Sequence, residues 1–211
     1  MSFKKSHIYY LISFLAIAFI LYNTYRFASG LGLQEGYQPE QPIAFSHKTH
    51  AGVYKINCVY CHNGVEKSKH ALIPDVQTCM NCHAGIRKGE KFGKMEISKI
   101  LDAYKEGKPL AWVKIHNLPD HVYFNHAQHV KVGKVDCQSC HGKVEEMEQI
   151  KQVNTLSMGW CIDCHRKSEV DFGGNDYYDD FKKLHDDFKS GKKEKVFVSD
   201  IGGIDCQKCH Y

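Results

Sequence analysis

The chain has 211 residues, among them ten cysteines and fourteen histidines, far more of both than an average soluble domain carries. Its 28 basic and 24 acidic side chains leave a net charge of +4, too mild and too scattered to point to nucleic acid. Apolar residues make up 43% and aromatic residues 12%, while mean hydropathy is −0.44; a polytopic membrane protein and a chain disordered throughout are both excluded.

At the amino terminus, Lys4 and Lys5 precede an apolar run from Ile8 to about Tyr25, broken only by Ser13, Asn23 and Thr24. As a helix these residues span about 27 Å, close to the hydrocarbon thickness of a bilayer. Tyr9, Tyr10, Tyr22 and Tyr25 fall near its ends, where aromatic belts lie. Residues 1–30 are therefore expected to be a retained single-pass anchor. The alternative is a leader peptide cleaved at Ala28-Ser29-Gly30. The two lysines predict a cytoplasmic amino terminus, with the rest of the chain on the outer, periplasmic face of a bacterial inner membrane. Residues 31–43 hold two glycines and two prolines and read as a linker. The remaining residues, 44–211, form the expected cysteine-rich domain.

Every cysteine in that domain belongs to one pattern. Cys58 and Cys61 are followed by His62, Cys79 and Cys82 by His83, and Cys137 and Cys140 by His141. Cys161 and Cys164 are followed by His165, and Cys206 and Cys209 by His210. C-x-x-C-H is the c-type haem attachment signature. Two thiols reach the two vinyl groups on one porphyrin edge, and the next residue turns its imidazole under the ring to ligate iron. Structural zinc or a disulfide scaffold would use paired cysteines too, but neither requires a histidine after each pair. Five covalently attached haem c groups are expected.

An iron that only carries electrons also needs a sixth ligand. Phe45-Ser46-His47-Lys48-Thr49-His50 stands ahead of Cys58, and Phe124-Asn125-His126-Ala127-Gln128-His129 stands ahead of Cys137. Both read F-x-H-x-x-H, and they lie 79 residues apart, as do His62 and His141. The chain thus contains a duplicated two-haem module, about 45–83 and 124–165. Three extra residues separate the two runs of the second copy. Histidines at i and i+3 share one side of a helical turn, so His47, His50, His126 and His129 are expected to be distal ligands of neighbouring haems. One more is needed. His116, just ahead of the second copy, is the favoured choice, with His121, His185, His70, Met147 and Met158 as alternatives. His7 lies on the other side of the anchor.

Between and after the modules, helices are expected over 94–106, 143–153 and 176–190, the last with Tyr178, Phe181, His185 and Phe188 on one stripe. A short strand is expected from Val122 to Phe124. The fold class is thus mainly short α-helices and loops packed around haems, with one amino-terminal transmembrane helix.

The F-x-H-x-x-H segments ahead of C-x-x-C-H resemble class III multihaem cytochromes c. More closely, the chain resembles the pentahaem cytochrome c subunit of alternative complex III, the quinol-oxidising Act complex. The resemblance rests on the single anchor, the five runs, and the strings Phe45–His50, Ile115–His129, Leu156–Arg166 and the terminal C-Q-K-C-H-Y. It implies mostly bis-histidine haems and electron flow from iron–sulfur clusters to a cytochrome c acceptor. It also implies an iron–sulfur subunit, integral membrane quinone-binding subunits and a monohaem cytochrome c subunit as partners. An electron-transfer subunit without catalysis of its own is the expected role. A stand-alone membrane-anchored quinol dehydrogenase is the runner-up, ahead of a nitrite or hydroxylamine converter, which would need an open iron position.

Overall fold

The computed structural model describes residues 5–89, 93–171, 175–178, 181–192 and 195–210, without the side chains of Lys5, Lys182, Lys183, His185 and Phe188. The chain divides into two units, Met1–Gln34 and Glu35–Tyr211.

The first unit is essentially one helix, α1, Lys5–Gly30. Within it Ser6–Gly30 is long and apolar enough to cross a membrane, with mean hydropathy 1.6. Its described side chains are all exposed. The lysine pair on which the orientation expectation rests lies outside the described side chains.

The second unit is built from short helices: α2 (Cys58–Cys61), α3 (Val76–His83), α4 (Gly93–Glu106), α5 (Cys137–His141), α6 (Met158–Lys167), α7 (Lys182–Lys189) and α8 (Cys206–Cys209). Among the described residues there is no sheet, only isolated antiparallel bridges at Val122–His210 and Glu169–Phe197. The expected strand at 122–124 is therefore a single bridge. Helix α4 matches its expected span. The expected helix over 176–190 is a turn at Asp176–Tyr178 followed by α7, with residues 179 and 180 outside the described set.

The duplication is visible in three dimensions. Each F-x-H-x-x-H segment enters a short wide turn, Lys48–Val53 and Gln128–Val132, closed by i→i+5 bonds. Tyr54 N donates to Thr49 O at 3.1 Å, and its counterpart Gly133 N to Gln128 O at 2.9 Å. Lys55 and Lys134, 79 residues apart, both take a left-handed φ, 55° and 52°, a conformation uncommon for non-glycine residues. Phe45 stacks on His50 at 4.3 Å, and Phe124 on His129 at 4.5 Å. The conserved offset thus encodes one local structure twice.

The two copies dock reciprocally. At the start of a helical turn the backbone N–H groups lack internal partners, and each copy supplies carbonyls to the other. Lys48 N donates to Met147 O at 2.9 Å, and Ala127 N donates to Ser68 O at 3.1 Å; both donors and both acceptors are 79 residues apart. Gly52 lies so close to the Glu145 carbonyl that a Cβ there would collide with it. Gly52→Val should cost about 1–3 kcal/mol through overpacking of this junction. A thermal melt of the holoprotein checks it; an unchanged Tm would mean the junction gives way freely.

This docking also explains two departures from expectation. Residues 143–153 form only a short turn, Val144–Glu146, because their backbone is used elsewhere. Gly36 N donates to Gln152 O (2.7 Å), Gln152 N to Tyr37 O (3.0 Å), and the Gln38 side-chain amide to Gln149 O (2.9 Å). For the same reason residues 35–43 are not a free linker. Ile43 is buried with Val76 and Ile100, and the following Ala44 N–H is held by the Glu96 carboxylate at 2.8 Å.

The apolar core is small. One cluster joins Ile43, Val76 and Ile100; the other joins Val170, Tyr178 and Val196, with Phe181 and Leu184 against it. Two such clusters are little apolar burial for a unit of this length, where burial must offset roughly 1–2 kcal/mol of backbone entropy per residue. A chain expressed without haem maturation should be cut rapidly by protease. A compact, protease-resistant apo chain would contradict this reading.

Candidate functional site

The five C-x-x-C pairs share one construction. Each lies on a helical turn, so its thiols at i and i+3 face one side. The turn is opened by a polar residue at the N-cap: Asn57, Asp136 and Asp205 immediately before the first cysteine, Asp75 and Ser157 four residues before it. Asn57 accepts from Val59 N at 3.1 Å and Asp75 from Thr78 N at 2.8 Å, satisfying donors the helix leaves open. First and second runs of a module therefore differ by one turn of helix in both copies. None of the ten cysteines is in a disulfide.

The pairs form a connected row. Burial raises the Cys61 thiol pKa, and the charges of Cys82 and Cys58 raise it further. Cys79 is raised by burial and then by Cys61. Cys137 is raised by burial and then by Cys58, to which it is also hydrogen-bonded. Cys140 is pushed up to about 11 by burial, then by Cys164 and Cys161. Burial also raises Cys161, with Cys209 next. Neighbour by neighbour the order is Cys79/Cys82, Cys58/Cys61, Cys137/Cys140, Cys161/Cys164, Cys206/Cys209.

Opposite the motif histidines stand further imidazoles. Ring centres are 6.1 Å apart for His50 and His83, 6.4 Å for His126 and His141, 6.1 Å for His129 and His165, and 5.4 Å for His121 and His210. Two imidazoles sharing one metal from opposite sides sit about 2.0 Å from it by nitrogen, which puts their ring centres about 6 Å apart. Three of the four separations fall at that value. Burial lowers the pKa of His47 to about 4, helped by the charges of nearby His62 and His50.

The other ring nitrogens are anchored. Nδ1 contacts a backbone carbonyl in His50 (Ser46 O, 2.8 Å), His129 (Asn125 O, 2.8 Å), His126 (Lys69 O, 2.8 Å), His62 (Leu72 O, 2.6 Å) and His83 (Ile86 O, 2.9 Å). His165 does the same with Gly203 O. With Nδ1–H donated, the lone pair is left on Nε2, the tautomer a metal ligand needs. Burial lowers the pKa of His129 and pushes that of His141 down to about 3, the latter helped by His116, His126 and His62. Both imidazoles are thereby kept neutral. Among the described residues no three His, Cys, Asp or Glu groups converge as a self-contained ion site; the arrangement is one of facing pairs. The residues present fit haem.

The structure brings His121, not His116, to the carboxy-terminal run. The Val122–His210 bridge and the Tyr123 N to Cys209 O bond (2.8 Å) lay the two segments side by side. His116 is elsewhere, edge-on to His141 with centres 4.3 Å apart, too close for a metal between them. His141 already faces His126. His70 is exposed, and its carbonyl accepts from the Ser68 hydroxyl. Met158 is exposed at the start of α6, and Met147 carries the carbonyl that docks Lys48. The side chain of His185 lies outside the described residues. In the sequence nothing distinguishes His121 from His116, because the pairing that selects it is with a segment almost ninety residues away.

Residues 32–108 match the model of the Class III cytochrome C family. Over 104 residues, 49% of this chain and 47% of the relative, the sequence is 34% identical to a protein of Nitratidesulfovibrio vulgaris named "Menaquinone reductase, multiheme cytochrome c subunit". The chain thus spans about half the length of that curated relative. Both matches are to multihaem cytochromes c, and the family match over residues 32–108 includes the first two C-x-x-C-H runs.

Proposed function

We propose that this protein is an electron-transfer subunit carrying five c-type haems, one at each C-x-x-C-H run, in a membrane complex that oxidises quinol. The observation that carries the reading is the row of four facing imidazole pairs, with His47 near His62 at the remaining run. Bound there, the haem irons supply one-electron redox chemistry. His62, His83, His141, His165 and His210 hold them on the thioether side; His47, His50, His126, His129 and His121 hold them on the other. With two imidazoles available to each group, these residues would leave no open position for a substrate.

The path runs in the order in which the cysteine pairs adjoin. The i, i+3 histidines set the spacing within each module, because one helical turn serves two neighbouring sites: His47 and His50 in the first copy, His126 and His129 in the second. The reciprocal docking brings Cys58 to Cys137 and so joins the modules. His121 adds the carboxy-terminal site. Main-chain carbonyls on Nδ1 fix the ring orientation of His50, His62, His83, His126, His129 and His165 and raise their basicity.

Ser6–Gly30 serves as a retained anchor that keeps the haem domain on the periplasmic face of the inner membrane. Its apolar surface and length support this role. The multihaem relative's menaquinone reductase name supports a quinone-linked complex. As in alternative complex III, the partners are an iron–sulfur subunit that delivers electrons, integral membrane quinone-binding subunits, and a monohaem cytochrome c subunit that takes electrons toward a cytochrome c acceptor.

The test compares the purified single chain with the complex isolated through a tag on it. Quinol should reduce the haems only in the complex. Quinol oxidation by the single chain would instead make it a self-sufficient quinol dehydrogenase. Turnover of nitrite or hydroxylamine would overturn the electron-carrier reading altogether.

A further inference from the structure

The duplication makes one contact conspicuous. In the first copy, the loop after His62 returns through Leu72, whose left-handed φ of 65° turns its carbonyl onto His62 Nδ1 at 2.6 Å. His83 and His165 likewise meet main-chain carbonyls, of Ile86 and Gly203. The second copy cannot do the same at His141. Its loop has three extra residues, turns away at Gly142 (φ 70°), and is committed through Gln149 and Gln152 to residues 36–39. In place of a carbonyl, His141 Nδ1 meets the side chain of His116, Nε2, at 3.2 Å.

His116 comes from neither module, and its segment is braced. Ile115 beside it is buried. Three residues back, the Gln41 amide holds both backbone groups of Val113, accepting from its N–H at 2.9 Å and donating to its carbonyl at 3.0 Å. The two rings meet edge-on, their planes 88° apart and their centres 4.3 Å apart.

We propose that His116 is a positioning residue for the haem of Cys137 and Cys140: it accepts the Nδ1–H of His141, orients that ring, and sets the potential of this one haem. The inference rests on the reading of His141 as an iron ligand. An acceptor on Nδ1 raises the basicity of a ligating imidazole and so favours the oxidised metal. The other proximal rings whose partners are described draw this effect from the main chain, which substitution leaves in place. Here it resides in a side chain, at the central member of the row.

The test is a spectroelectrochemical titration of the full-length holoprotein as wild type, His116→Leu and His116→Gln. His116→Leu removes the acceptor; one of five midpoint potentials should rise while four hold and every haem stays low-spin. His116→Gln offers an amide carbonyl in the same place and should bring that potential back toward the wild-type value. Five unmoved potentials, a uniform drift of all five, or no recovery in His116→Gln would overturn the proposal. A new high-spin haem in His116→Leu would overturn it too, by making His116 a ligand. The wild-type haem count separates the underlying reading: absence of the Cys137–Cys140 haem defeats the ligand assignment of His141, whereas a full count with unmoved potentials defeats this inference alone.

Discussion

His121→Ala should convert one haem of five from low to high spin and open it to carbon monoxide, about one-fifth of the total. The expectation follows from position. His121 faces His210 with ring planes 26° apart, and the neighbouring Val122–His210 bridge holds the two segments in register. His121 is exposed and His210 half-buried, so the vacated side should admit water and small ligands. Stability should change little, because little packing is lost with an exposed side chain. His116→Ala provides the contrast: it should leave all five haems low-spin. Low-temperature electron paramagnetic resonance with a carbon monoxide difference spectrum reads both variants. The reverse pattern, high spin in His116→Ala and low spin in His121→Ala, would restore His116 as the fifth ligand.

Loss of the central attachment site should do the most damage. Cys137 meets Cys58 across the module junction, and Cys140 adjoins Cys161 and Cys164. The double substitution Cys137→Ala, Cys140→Ala therefore removes the middle member of the row, with two on either side. Because cofactor stands where these modules would otherwise need core, the expected cost lies at the upper end for such changes, on the order of 4–5 kcal/mol. For a chain of this size that is roughly 10–20 °C in Tm. Electrons entering at the Cys79 end should no longer reach the Cys206 end on the original timescale. The same pair of changes at Cys206 and Cys209 should be milder, costing one haem at the end of the row and leaving the other four in contact. Stopped-flow reduction with a thermal melt measures both. Equal effects at the two places would contradict the order derived from the cysteine neighbours.

Much of the site is legible in the sequence because it is local. A C-x-x-C-H run and its N-cap fall within one or two helical turns, and F-x-H-x-x-H places two imidazoles on a single turn. The 79-residue offset then announces that the second copy repeats the first. What depends on segments far apart is not legible. The choice between His116 and His121 is made by pairing with residues 209 and 210. Residues 143–153 carry apolar side chains at helical spacing, yet their backbone is taken by Gly36, Tyr37 and Gln38. That competition also turns residues 35–43 from an apparent linker into part of the folded unit, since proline and glycine mark an irregular path without saying whether it is packed. Helix α4 matches its expected span because its pattern is long, amphipathic and ended by Gly107, which takes a φ of 64°.

The proposed role requires five haems, each held between two histidines. The most direct measurement combines a haem count per chain, from the alkaline pyridine spectrum and intact mass, with electron paramagnetic resonance of the oxidised full-length protein. The predicted result is five covalently bound haems, all low-spin with bis-histidine signatures and none reactive with carbon monoxide. Four or fewer haems in fully matured protein, or a high-spin centre in the wild type, would contradict it.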